Sequence, residues 1–270
     1  MRFTKMQGLG NDYVYINGMK ETVEDPEKLA IRFSNRHFGI GADGLIVIGA
    51  SKVADVRMEM YNADGSRGMM CGNGIRCVAK YVYEQGIVPK KMIRIETLSG
   101  IKETLILSDG DVQVNMGEPK VERIKQEITI SVLEGKRITS DCISMGNPHR
   151  ILYLNELQEM EQMECLELER IGPALECCSG EPHRRNVEVV NVLDRNTLEM
   201  RVWERGTGET LACGTGACAA AVSSIVRNLT EREVRIKLKG GNLLVKWGED
   251  SRNIYMTGPA VTVFKGDITV

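Results

Sequence analysis

An internal duplication constrains this chain more than any other feature of its sequence. With Cys71 laid over Cys213, MEMYNADGSRGMMCGNGIRCVA (58–79) aligns without a gap to MRVWERGTGETLACGTGACAAA (200–221). Each copy reads as a strand, a Gly-rich turn, a cysteine and a helix, and the copies run in parallel order. Further upstream, Gly10-Asn11 in GLGND matches Gly146-Asn147 in SMGNP, each before a strand-like run. A chain built twice on one plan predicts two similar domains, each delivering one cysteine. No Pro, Ser or Gly-rich linker separates the halves. The boundary is therefore placed after the last strand of the first copy, giving 1–117, completed by 258–270, and 118–257.

Short β-branched runs bounded by turn residues recur along the whole chain, among them LIVIG (45–49), VRMEMY (56–61), MIRIET (92–97), ETLILS (103–108), DVQVNM (111–116), EITISVL, RITSDCISM, NVEVVNVL and EVRIKLKG. This is strand grammar. Helical patterns are confined to 26–36, 74–85, 156–176 and 216–228. In the second, Ile75, Val78, Ala79 and Val82 fall on one face. In the fourth, GACAAAVSSIVRN is small or apolar nearly all round, which predicts a helix buried on several sides. The expected fold is α+β: two similar pseudo-symmetric domains, each a curved, mostly antiparallel sheet around a central helix.

Composition excludes several classes of function. Hydrophobic residues make up 42% and charged residues 27%, the balance of a soluble globular chain, and Lys plus Arg (35) nearly cancel Asp plus Glu (37). Neither a nucleic acid nor an anionic membrane is an expected partner. No run approaches the ~18 apolar residues of a membrane span, and the N-terminus lacks an export signal, so a cytoplasmic protein is expected. Eight cysteines in that setting are reduced thiols. Cys77, Cys142, Cys165, Cys177, Cys178 and Cys218 are read as packing residues. The only histidines are His37, His149 and His183, and the cysteine spacings are not those of a zinc framework, so no metal is expected.

The paired loops CGNG (71–74) and CGTG (213–216) carry the chemistry. A helix N-terminus presents unpaired N–H groups and the positive end of a dipole, so it favours both a thiolate and a bound carboxylate. A phosphatase loop would put arginine six positions after Cys71, but position 77 is Cys77 and the arginine is Arg76. Neither loop fits a dinucleotide fingerprint or a Walker lysine pattern. Two equivalent cysteines suit a reaction nearly symmetric about one atom. Inversion at carbon needs a base on one face and an acid on the other, and a thiolate and a thiol can exchange those roles. On the residues alone, Asn11 and Asn147 fit a turn as well as a ligand contact. The neighbours Glu204 and Arg205 fit a surface ion pair as well as a site.

MCGNGIRC (70–77), ACGTGACA (212–219), VWERGTGETL, GLGNDYV, RHFGIGADGL (36–45), YNADGS (61–66) and SMGNPH (144–149) closely resemble the motifs of the diaminopimelate epimerases, in that family's order. The resemblance implies interconversion of LL- and meso-diaminopimelate for lysine and cell-wall synthesis, without pyridoxal phosphate or metal. It implies Cys71 and Cys213 as the base and acid pair, with His149 and Glu204 tuning the thiols. Substrate contacts carry over to Asn11, Asn62, Gly72, Asn73, Asn147, Asn186, Glu204, Arg205, Gly214 and Thr215. A homodimer acting on a small amino acid is implied too. Two departures stand out: Gly44 where some members place a substrate-touching glutamine, and RGMM before Cys71 where an acidic or amide residue is frequent. Rival readings are a racemase of the same fold acting on another amino acid, a phenazine-type isomerase, and a silent amino-acid-binding protein.

Overall fold

In the computed structural model, which describes residues 1–130, 135–157, 162–178 and 184–269, the chain divides into two compact units. These are Met1–Asn115 with Thr257–Val270, and Met116–Met256. The first unit contains β1 (Arg2–Gly8), β2 (Asn11–Asn17), α1 (Pro26–Ser34), β3 (Gly44–Gly49), β4 (Val56–Asn62), β5 (Arg67–Gly68), α2 (Gly72–Glu84), β6 (Met92–Thr97), β7 (Gly100–Ile106) and most of β8 (Val112–Gly117). The second contains β9 (Lys120–Ile130), β10 (Lys136–Ser144), β11 (Pro148–Tyr153), α3 (Leu168–Glu176), β12 (Asn186–Asp194), β13 (Thr197–Glu204), β14 (Gly208–Thr210), α4 (Gly214–Val226), β15 (Glu233–Leu238), β16 (Gly241–Trp247) and most of β17 (Ile254–Gly258). The last strand, β18 (Val261–Asp267), returns to the first unit and pairs antiparallel with β1. The α+β class expected from the sequence is the fold observed.

Each unit repeats one pairing scheme. β1–β2, β3–β4, β4–β5 and β6–β7 are antiparallel, while β2–β3 and β4–β6 are parallel. In the second unit, β10–β11, β12–β13, β13–β14 and β15–β16 are antiparallel, while β11–β12 and β13–β15 are parallel. Parallel neighbours require a crossover connection. Among the described residues, these crossovers carry the four α-helices: α1 and α2 in the first unit, α3 and α4 in the second.

The central helices form because their sequences bury well. Ile75, Val78, Ala79 and Val82 of α2 are buried against β1, β2, β6 and β7. In α4, Ala217 to Ser224 are all buried, and the helix packs on β10, β11, β12 and β16. Small side chains let its backbone come close to the sheet: a Cβ on Gly216 would lie 2.4 Å from Glu188 Oε1. Both helices begin two residues earlier than their apolar periodicity indicates, at Gly72 and Gly214, because the cysteine before each serves as its cap.

The expected helix over 156–176 is not formed as one piece. Short 3-10 turns cover Leu154–Glu156 and Met163–Cys165, the α-helix begins at Leu168, and 158–161 lie outside the described residues. Leu157, Met163, Leu166 and Leu168 all enter one buried cluster with Ile171 and Leu175. Their spacing is not that of a single helical face, so the backbone has to turn between them. The end of the strand expected at EITISVL, and His183, also fall outside the described residues. Among the described residues no helix is long and apolar enough to cross a membrane.

Candidate active site

In each unit the crossover geometry gathers the same parts at one end of the sheet. β2 and β3 begin there, β4 ends there, and α2 starts there; the register sets Tyr13, Gly44 and Asn62 side by side across three strands. In the second unit the same row starts with His149 beside Asn186 on β11 and β12. It continues to the end of β13, where the Arg205 N–H donates to Asn186 Oδ1 at 2.8 Å. The duplication therefore reaches beyond the two cysteines into the neighbouring strands.

Cys71 and Cys213 stand at equivalent positions, each the N-cap of its helix with extended backbone (φ −123°, ψ 122° and φ −119°, ψ 113°). Each sulfur accepts the N–H of the third helical residue at 3.4 Å, from Gly74 and Gly216 respectively. This is the place a capping carboxylate or hydroxyl would fill, and the helix dipole there favours negative charge on sulfur.

The two thiols have different surroundings. Cys71 is half-buried and its thiol faces Asn11 Oδ1 at 3.2 Å. The amide of Asn11 is fixed by donating to Asp43 Oδ2 at 2.8 Å, and the Asp12 N–H donates to the same oxygen at 3.0 Å. Burial raises the Asp43 carboxyl above its ordinary range. Behind Cys71, the fully buried Arg76 donates to the Gly72 carbonyl at 3.2 Å, to Asn73 Oδ1 at 2.9 Å and to the Pro259 carbonyl at 3.1 Å. Asn62 closes the turn after β4, donating to Ser66 Oγ at 2.9 Å.

Cys213 is 7% exposed and lies in anionic company. Burial first, then the charges of Glu204 and Glu188, push its thiol well above the ordinary value. Glu204 is itself raised by burial; it accepts from Thr210 Oγ1 at 2.6 Å and reaches the Cys213 sulfur. Thr215 Oγ1 sits 3.5 Å from that sulfur and accepts from Asn147 Nδ2 at 3.2 Å. His149, fully buried, is held at both ring nitrogens, by Glu188 Oε1 at 2.7 Å and Asn147 Oδ1 at 3.1 Å. Arg205 is exposed at the end of β13.

Comparison with known proteins decides the family. The diaminopimelate epimerase family model matches residues 3–122 and 142–263. This chain belongs to the diaminopimelate epimerase family. A diaminopimelate epimerase of Acetivibrio thermocellus is 50% identical over 99% of this chain and 98% of that protein. Another, from Parabacteroides distasonis, is 47% identical over 100% and 98% respectively. Among solved structures, a probable proline racemase from Agrobacterium radiobacter superposes with a TM-score of 0.74 at 15% identity, covering 100% of this chain and 93% of that one. A phenazine biosynthesis protein of Bacillus anthracis gives 0.72 at 16% identity, covering 100% and 99%. At such identities these two show a shared fold.

Set within the diaminopimelate epimerase family, the structure explains one departure noted in the sequence. A Cβ on Gly44 would lie 2.2 Å from the Tyr61 carbonyl oxygen and 2.8 Å from Tyr13 Cε1, so no side chain fits at position 44. Nothing in the structure explains the RGMM departure. Two residues missed by sequence reading stand in the half-sites. Glu188 is the fully buried partner of His149, and its signal was a lone acid inside the apolar run NVEVV. Tyr13 is buried beside Cys71, and nothing in GLGNDYV distinguished its hydroxyl from an ordinary core tyrosine. A correction concerns the remaining cysteines: Cys77, Cys142 and Cys218 are buried as expected, but Cys165 and Cys177 are exposed. Cys165 ends a 3-10 turn and Cys177 caps α3, and the inward positions of the two are taken by Met163 and Leu175.

Proposed function

We propose that this chain epimerises one α-carbon of 2,6-diaminopimelate, interconverting the LL and meso forms, with Cys71 and Cys213 as the two acid–base groups. The observation that carries this is the pair of thiol-capped helices, each opening beside an equivalent row of strand ends. The substrate is drawn from the close relatives of the family. One thiolate removes the α-proton while the thiol on the opposite face returns another. The helix N–H groups at Gly72 and Asn73, and at Gly214 and Thr215, hold the carboxylate and stabilise the charge that develops on it.

In this reading Cys213, buried against two carboxylates, waits as the thiol, and Cys71 is the group able to give up its proton. Asn11 accepts from the Cys71 thiol and the Gly74 N–H supports its thiolate, so both protonation states are accommodated. Asn62, Asn147 and Asn186 supply amides for the second amino-acid end. Arg205 takes a carboxylate and Glu204 an ammonium, while His149 and Glu204 tune the Cys213 side. A reduced cytoplasmic setting and a homodimer belong to the same reading.

The test is to incubate the protein with LL-diaminopimelate under reductant, with no cofactor added, and separate the stereoisomers. Wild type should form the meso isomer, and Cys71→Ser and Cys213→Ser should each lose at least ~100-fold in rate, the scale of one acid–base group. Turnover of another amino acid instead would correct the substrate. No turnover of any amino acid would favour a binding protein.

A further inference from the structure

We propose that Tyr13 is a positioning residue for Cys71, its hydroxyl donating to the Cys71 thiolate as the dedicated support of that half-site. This deepens the reading given above and rests on it. The first ground is register. On β2, Tyr13 pairs with Gly44 on β3; on β11, His149 pairs with Asn186 on β12. Since Gly44 and Asn186 stand equally far before Cys71 and Cys213, Tyr13 occupies in the first unit the place of His149 in the second.

The second ground is space. Position 44 is empty of side chain, and the Tyr13 ring lies where a Cβ there would be, 2.8 Å from Cε1. The ring is 4% exposed and set edge-on to Tyr15, with centroids 6.5 Å apart. The third ground is the hydroxyl's company. It lies within reach of the Cys71 side chain and of the Asn11 amide, which itself faces the same sulfur. Burial, then the nearby charges of Cys71 and Asp43, push this hydroxyl well above its ordinary value, so it keeps the proton it donates. A donor that never ionises stabilises thiolate over thiol without competing as a base. Histidine at the equivalent place is tied to a carboxylate instead, so the two halves are built to treat their thiols differently.

Tyr13→Phe keeps the ring and removes only the donor. Cys71 and Cys213 are alkylated with iodoacetamide across a pH series and quantified separately by peptide mass spectrometry. Loss of one hydrogen bond to a charged acceptor should raise the Cys71 midpoint by about one pH unit, slowing its alkylation roughly tenfold at fixed pH below the midpoint. The Cys213 midpoint and the thermal unfolding midpoint should stay put. An unchanged Cys71 midpoint in the folded variant would overturn the proposal and leave Tyr13 a packing residue. Alkylation is read without turnover, so inactivity toward diaminopimelate would count against the proposed function and not against this assignment.

Discussion

A thiol is an acid–base group whose poise is set by what touches it, and the two half-sites differ most at that level. Cys213 is enclosed with Glu204 and Glu188, both of which raise it, while Cys71 meets a hydroxyl, an amide and a buried guanidinium. Replacing Glu204 with glutamine keeps an acceptor for Thr210 but removes one negative charge beside the sulfur. Ionising Cys213 then costs less, so its alkylation midpoint should fall, by on the order of one pH unit. An unmoved midpoint in Glu204→Gln would mean that burial alone holds the thiol up. The cysteines were legible in the sequence because a duplication marks both at once. Glu188 and Tyr13 were not, since each is a single residue in an apolar strand. Their contacts depend on parallel register across a crossover, which local patterning does not encode.

Helices α2 and α4 each turn that residue chemistry into a half-site by bringing an N-terminus onto the strand ends of its own unit. The close approach rests on glycine at the third helical position: a Cβ on Gly74 would lie 2.8 Å from Ile46 Cδ1, and one on Gly216 would lie 2.4 Å from Glu188 Oε1. Glu188 is not free to yield, because it holds His149. Gly216→Ala should therefore cost about 1–3 kcal/mol in urea unfolding, the scale of overpacking a filled core. It should also slow epimerisation by displacing the Glu188–His149 pair. A variant as stable and active as wild type would show that the contact relaxes freely. The apolar periodicity of α2 and α4 was readable because a continuous helix repeats its pattern over several turns. The segment from 156 to 176 misled because its Met and Leu residues reach one core through separate short turns, and composition does not distinguish the two.

Across the whole molecule, the C-terminal strand returns to the first unit and bears on its half-site. β18 pairs with β1, Phe264 sits edge-on to Phe3 with centroids 5.8 Å apart, and the Pro259 carbonyl accepts from Arg76 behind Cys71. The sequence reading assigned 258–270 to the first domain, but its pairing with β1 was not legible in local pattern; the repeated order of strand, turn, cysteine and helix was. Two copies of one plan, each ending in a thiol, make the central claim a statement about isotopes. The measurement is LL-diaminopimelate turned over in heavy water and stopped early, with the α-carbon of product and of unconverted substrate examined separately. A thiol carries a single proton, so different groups removing and returning protons should place deuterium in the meso product while the remaining LL substrate keeps its original hydrogen. Meso product that retains the substrate's own hydrogen would mean that one group serves both faces, and would contradict the two-thiol account.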